Sequence, residues 1–141
     1  MDTGFNMIQF FFEDIDKIEI QPNLSNRLEN IILSEGKKPG EINYIFCDDE
    51  YLLQVNREYL KHDYYTDVIT FDYVKGKTIS GDIFVSLPRI FDNAQTLSKD
   101  FESEFFRVLA HGLLHLCGYM DKTDEEIAEM RSKEDYYLNK R

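Results

Sequence analysis

The 141 residues contain no tryptophan, two cysteines, three prolines and three histidines. Cys47 and Cys117 lie far apart and belong to no C-x-x-C pair, which argues against a disulfide scaffold and against a finger-type zinc site. Two free thiols fit a reducing compartment. Long apolar stretches are also missing. The run Met7-Ile8-Gln9-Phe10-Phe11-Phe12 ends at Glu13 and Asp14 and reads as a strand, not as a signal or a membrane span. A soluble, cytoplasmic protein with no membrane partner is the expectation. Positive charge is scarce: 16 Lys and Arg against 27 Asp and Glu give a net charge of −11. Such a balance counts against a nucleic-acid partner unless the cations are gathered locally. Arg57, Lys61, Lys75, Lys77, Arg89 and Arg107 all fall in the middle of the chain, between acid-rich ends, and leave room for a local basic groove.

There is also no repeat, low-complexity tract or Pro/Gly/Ser-rich linker. The chain is 43% hydrophobic and 14% aromatic, enough for one packed domain over residues 1–141. MIQFFFED predicts a first strand. PNLSNRLENIILSEG predicts a helix with Pro22 near its start, Leu24, Leu28, Ile31 and Ile32 on one face, and Gly36 at its stop. EINYIFCDD alternates like a half-buried strand, and DEYLLQVNREYLK is amphipathic. TDVITFDYV and TISGDIFVSL flank Lys75-Gly76-Lys77 as a hairpin. From Pro88 onward the pattern is helical, in two or three segments. The expected fold is α+β, with a small mixed four-stranded sheet, helices, and a buried central helix that carries the metal site.

That central helix runs from Asp100 to Cys117 and ends in AHGLLHLCGYMDKTDEE. His111 and His115 stand one turn apart and project from one face, so both can reach one metal ion. Gly118 suits a left-handed chain reversal that returns Met120 and Asp121 toward that face. Two imidazoles, one carboxylate and a water would make a catalytic zinc site, with one ion per chain. Two satisfied core histidines are the other reading of the pair, and a helix N-terminal acid is the other reading of Asp121. Asp124 is a second candidate for the third ligand. Thr123 or Asp124 would cap the last helix, with Glu126 completing the cap. Cys117 faces away from the histidines and reads as core.

HGLLHLCGY, together with TDVITF and GDIFVS in that order, resembles the YbeY family of bacterial endoribonucleases, the rRNA maturation factors. The resemblance covers nearly the whole chain. The family motif H-G-x-L-H-L-x-G-Y-D-H is matched through His111, Gly112, Leu114, His115, Leu116, Gly118 and Tyr119. Met120 then stands where the family has Asp, and Asp121 where it has a third zinc-binding His. Leu60 occupies the position of the family's Arg, after Asn56 and Tyr59. The resemblance implies a single-strand-specific, zinc-dependent endoribonuclease acting in ribosomal RNA processing, at the small-subunit 3′ end, and in ribosome quality control. It implies ribosomal RNA and the small ribosomal subunit with its proteins as partners. His111, His115 and Asp121 would act through metal-bound water. With Leu60 in place of Arg, Arg57, Lys61, His62, Thr70 and Arg89 are the RNA-contact candidates. Thr66 and Asp67 flank the strand that by resemblance lines the cleft.

Two further classes stand beside this one. A non-catalytic ribosome-assembly factor with bound zinc would explain the missing Arg. A zinc metalloprotease needs the Glu of H-E-x-x-H as general base, and Gly112 fills that position.

Overall fold

A computed structural model describes residues 8–140. The chain runs β1 (Ile8–Phe12), α1 (Leu24–Ser34), β2 (Lys38–Cys47), α2 (Asp49–Leu60), β3 (Val68–Asp72), β4 (Thr78–Ser86), α3 (Leu87–Thr96), α4 (Phe101–Leu116) and α5 (Asp124–Asn139). The sheet has the order β1-β2-β4-β3. β1 and β4 lie parallel to β2, and β3 closes the edge antiparallel to β4. This is the mixed four-stranded α+β sheet expected. The β3–β4 hairpin turns through Gly76, whose φ of +59° suits a residue without a Cβ. Met7, the expected first residue of the first strand, lies outside the described residues.

Period-two alternation sorts β2 into two faces. Ile42, Tyr44 and Phe46 join α1, α4 and β4 in the main core, while Cys47 joins Leu52, Val55 and Ile69 beneath α2. The buried hydroxyl of Tyr44 donates to the Leu109 carbonyl at 2.9 Å, tying the central strand to the central helix. β2 begins at Lys38, three residues before the pattern predicts, and its register shifts between Pro39 and Ile42. Apolar alternation is broken there by Pro39 and Gly40, yet Lys38 and Pro39 still pair with Thr78 and Ile79 of β4 before the shift. A Cβ on Gly40 would lie 2.2 Å from Ser80 Oγ, so the close approach demands glycine.

Three helices follow the sheet. Ser86 caps α3 by accepting from the Arg89 amide at 3.3 Å, with Pro88 in the first turn. Asp100 caps α4 by accepting from the Ser103 amide at 3.1 Å. α4 is buried on most sides, and Gly112 lets it close onto the sheet: a Cβ there would meet Ile83 Cγ2 at 2.9 Å. At its far end the Gly118 amide donates to the His115 carbonyl and the Tyr119 amide to the Leu114 carbonyl, both at 3.0 Å. Gly118 itself sits at φ +111°. This is the left-handed stop that returns the chain toward the histidine face. Thr123 then caps α5 in a reciprocal capping box with Glu126.

Candidate functional site

His111 and His115 lie in the last two turns of α4, and their ring planes are almost perpendicular, at 87°. The Gly118 reversal brings Asp121 back to them. Its Oδ2 is 3.3 Å from His111 Nε2 and 3.3 Å from His115 Nε2. Ligand atoms of all three residues fall within 4.8 Å of one another, a group able to hold one metal ion. Asp124 does not join it: it opens α5 as the first helical residue. The trio is partly open to solvent, with side-chain exposures of 21%, 24% and 40% for His111, His115 and Asp121.

Both imidazoles are held from behind. His115 Nδ1 donates to the Tyr119 carbonyl at 2.9 Å, since a carbonyl can only accept. His111 Nδ1 lies 2.6 Å from Glu134 Oε2, a carboxylate on α5 that is 1% exposed. With both Nδ1 atoms donating, the neutral rings carry their lone pairs on Nε2, the atoms that face Asp121. Glu134 is itself braced. Arg107 bonds Glu134 Oε1 at 2.9 Å and forks onto the buried Glu104 one turn earlier on α4. Burial would push the His111 pKa down, but Glu134, Asp121 and Asp67 more than reverse it, and the net shift is upward. For Glu134, burial pulls up while His111 and Arg107 pull down more strongly, leaving it below the ordinary glutamate value.

Neither Glu134 nor the Tyr119 carbonyl is marked by the local motif. Met130, Glu134 and Tyr137 are the buried residues of α5. Their spacing of four and three puts an acid on the apolar stripe, and that is the signal by which Glu134 could have been found.

The trio lines a cleft of about 550 Å³. Asn56, Leu60, His62, Tyr64, Thr66, Asp67 and Thr70 also line it, as does Lys122. Thr66, Asp67, Thr70 and His62 thus line the same cleft as the trio, and so does Leu60. Arg57, Lys61 and Arg89 are not lining residues. Arg57 pairs with Asp63 at 2.5 Å, and Arg89 pairs with Asp49 at 2.8 Å. Arg107, the last of the mid-chain cations, is committed to its two glutamates. Asp67 accepts from the Asn93 side chain at 3.2 Å, and burial raises its pKa. Cys117 packs against the core and stays out of the trio; burial pushes its thiol up to about 11.

A second buttress holds the reversal in place. Tyr119 donates through its hydroxyl to Glu35 Oε1 at 2.6 Å, and Tyr137 and Lys133 reach the other oxygen of the same carboxylate. Burial alone would raise the Glu35 pKa, but these three partners together lower it. The residue whose carbonyl orients His115 is thus tied to α1 and α5.

The family model for Endoribonuclease YbeY matches residues 10–141. The Flavobacterium johnsoniae Endoribonuclease YbeY is 54% identical over 129 residues, spanning 92% of this chain and 93% of the relative. The Cytophaga hutchinsonii protein of the same name is 52% identical and is covered to 94%, as is this chain. Among solved structures, a Thermotoga maritima protein determined in solution superposes with a TM-score of 0.65 at 28% identity, over 93% of this chain and 86% of that one. A match running from β1 to the last helix, through the very turn that assembles the trio, identifies the chain as a member of the YbeY endoribonuclease family.

Proposed function

We propose that this protein is a zinc-dependent endoribonuclease that cuts single-stranded RNA at the His111–His115–Asp121 centre, in the processing of ribosomal RNA. The observation that carries the reading is the pair of equal 3.3 Å separations between Asp121 Oδ2 and the two Nε2 atoms. Tetrahedral zinc with bonds of about 2.0–2.1 Å spaces its ligands by roughly 3.3–3.4 Å. Two lone pairs and a carboxylate oxygen turned toward one another repel unless a cation or a proton lies between them. Two imidazoles and one carboxylate are a donor set of catalytic zinc centres, which keep a position open. The partial exposure of all three residues toward the cleft supports such a position.

Bound zinc would supply an acidified water and a positive charge for the phosphodiester oxygens. The chain's own part is orientation. Glu134 and the Tyr119 carbonyl fix both Nε2 atoms toward the cleft, and the Gly118 reversal presents Asp121. Thr70 and His62, lining the same cleft, are the nearest proposed RNA contacts. Arg57, Lys61 and Arg89 would act from outside it, and only by exchanging their present carboxylate partners in the cases of Arg57 and Arg89. Gly112 also bears on the protease alternative. It is buried against Ile83 and leaves no room for the base that H-E-x-x-H requires. Ribosomal RNA within the small subunit, met in the cytoplasm, is the partner that family membership supports.

The test is metal content and cleavage of single-stranded RNA measured on one preparation. About one zinc per chain together with cleavage is expected, and His115→Ala should lose both. Zinc without cleavage in the wild type would favour the assembly-factor reading.

A further inference from the structure

The cleft has a second built feature, opposite in character to the metal trio. His62 and Tyr64 present stacked rings, with centroids 5.2 Å apart and planes 19° from parallel. Tyr64 is 56% exposed, yet both residues line the cleft that contains His111, His115 and Asp121. Neither ring belongs to either hydrophobic cluster, so the core does not account for them. They are nonetheless fixed. Asn56, 1% exposed at the end of α2, donates its side-chain amide to the Tyr64 carbonyl at 2.8 Å. Its own carbonyl accepts the His62 amide at 3.1 Å. Lys61, in the left-handed conformation at φ +59°, makes the reversal that sends the loop back over Asn56. The Tyr64 hydroxyl closes onto His62 Nδ1 at 3.0 Å. One buried residue thus holds both ends of a two-ring shelf, through its side-chain amide at Tyr64 and its backbone carbonyl at His62.

Charge offers little to RNA here. Lys122 is the one lysine or arginine among the residues lining the cleft, and Arg57 just outside is bound to Asp63. Stacking on an aromatic face needs no net positive charge and accepts any base whose own face is free. Duplex bases are already stacked on one another and cannot use it.

We propose that the His62–Tyr64 shelf is a nucleobase subsite, taking one unpaired base of single-stranded RNA and so bringing an adjoining phosphate to the metal trio. This rests on the ribonuclease reading above and adds to it the feature that selects the strand. Asn56 is its positioning residue.

The experiment titrates the full-length protein against a short fluorescein-labelled oligoadenylate and against a strand of equal length with abasic residues. Wild type, Tyr64→Leu and Tyr64→Phe are compared, with zinc content measured for each. Tyr64→Leu should bind oligoadenylate about tenfold more weakly, at unchanged zinc content, while Tyr64→Phe stays within about twofold. All three should bind the abasic strand weakly and equally. Wild-type affinity in Tyr64→Leu, or an equal loss on the abasic strand, overturns the shelf while leaving the ribonuclease reading intact. Absence of RNA binding by the wild type overturns both.

Discussion

The two walls of the cleft are built on different principles. Behind the α4 wall, buried charges hold one another: Glu104 of α4 and Glu134 of α5 clasp Arg107, and Glu134 turns His111. On the α2–β3 wall, one neutral amide pins a loop whose rings stay in solvent. The difference suits the tasks proposed for them. A metal centre needs ligand atoms fixed to within a fraction of an ångström, and a low-exposure charge network with directed hydrogen bonds supplies that. A surface for a flexible strand needs only a held shape and open faces. Damage to the first wall should therefore appear in metal affinity and stability together. Damage to the second should appear in RNA binding and leave metal affinity unchanged.

The largest effect should come from the ligands. His111→Ala and His115→Ala should each abolish tight zinc binding, measured by chelator competition, and with it cleavage. Next is the charge network behind them. Glu134→Ala strands Arg107 against Glu104 alone and should cost about 2–3 kcal/mol in denaturant unfolding, part of the usual penalty for breaking a buried pair. It should also weaken zinc about 10- to 100-fold by freeing the His111 ring. Glu134→Gln, which keeps an acceptor for Nδ1–H, should lose less. A Glu134→Ala protein with wild-type zinc affinity would erase the contrast between the walls.

Asn56→Ala probes the other side. It leaves the Tyr64 carbonyl without its donor and should cost about 1–2 kcal/mol, with zinc affinity unchanged. Smaller still are the changes at the rim. Leu60→Arg introduces into the cleft the cation that family resemblance leads one to expect, and should raise single-turnover cleavage severalfold with little change in affinity. Lys61→Glu should weaken RNA binding modestly and leave zinc alone.

The smallest expected effect is one of pH. The folded-state pKa of Glu35 lies below its ordinary value of 4.5. Its contribution to stability is then present above about pH 4.5 and is lost as pH falls through the depressed folded value. Glu35→Gln should remove that part of the acid dependence of unfolding, with little change in slope near neutrality.

Much of this architecture could be read from the chain because local rules and tertiary structure agree. The helix of Phe101–Leu116, the glycine stop and the Thr123–Glu126 box all obey spacing alone, and together they bring Asp121 to His111 and His115. Where the two disagree, reading fails. β2 extends back through Pro39 and Gly40, which carry no strand signal; position 40 is glycine because β4 approaches too closely there for a side chain. Glu134 lies 23 residues from His111, among other acids of α5, and only its place on the buried stripe separates it from Glu125, Glu126 or Glu129. The pairing of Arg57 with Asp63 and of Arg89 with Asp49 was hidden for a related reason: charge counts do not tell which cations are already engaged. Of the six cations that composition leaves open for a basic groove, Arg57, Arg89 and Arg107 are each held by carboxylates in the fold.

The most direct test titrates zinc into metal-stripped wild type and Asp121→Ala while following single-turnover cleavage of single-stranded RNA. Cleavage by the wild type should saturate at about one zinc per chain. Asp121→Ala should need at least about tenfold more free zinc to reach half its maximum. Coincident curves for the two proteins would contradict the account, because the carboxylate 3.3 Å from both imidazoles would then be no part of the centre that cuts.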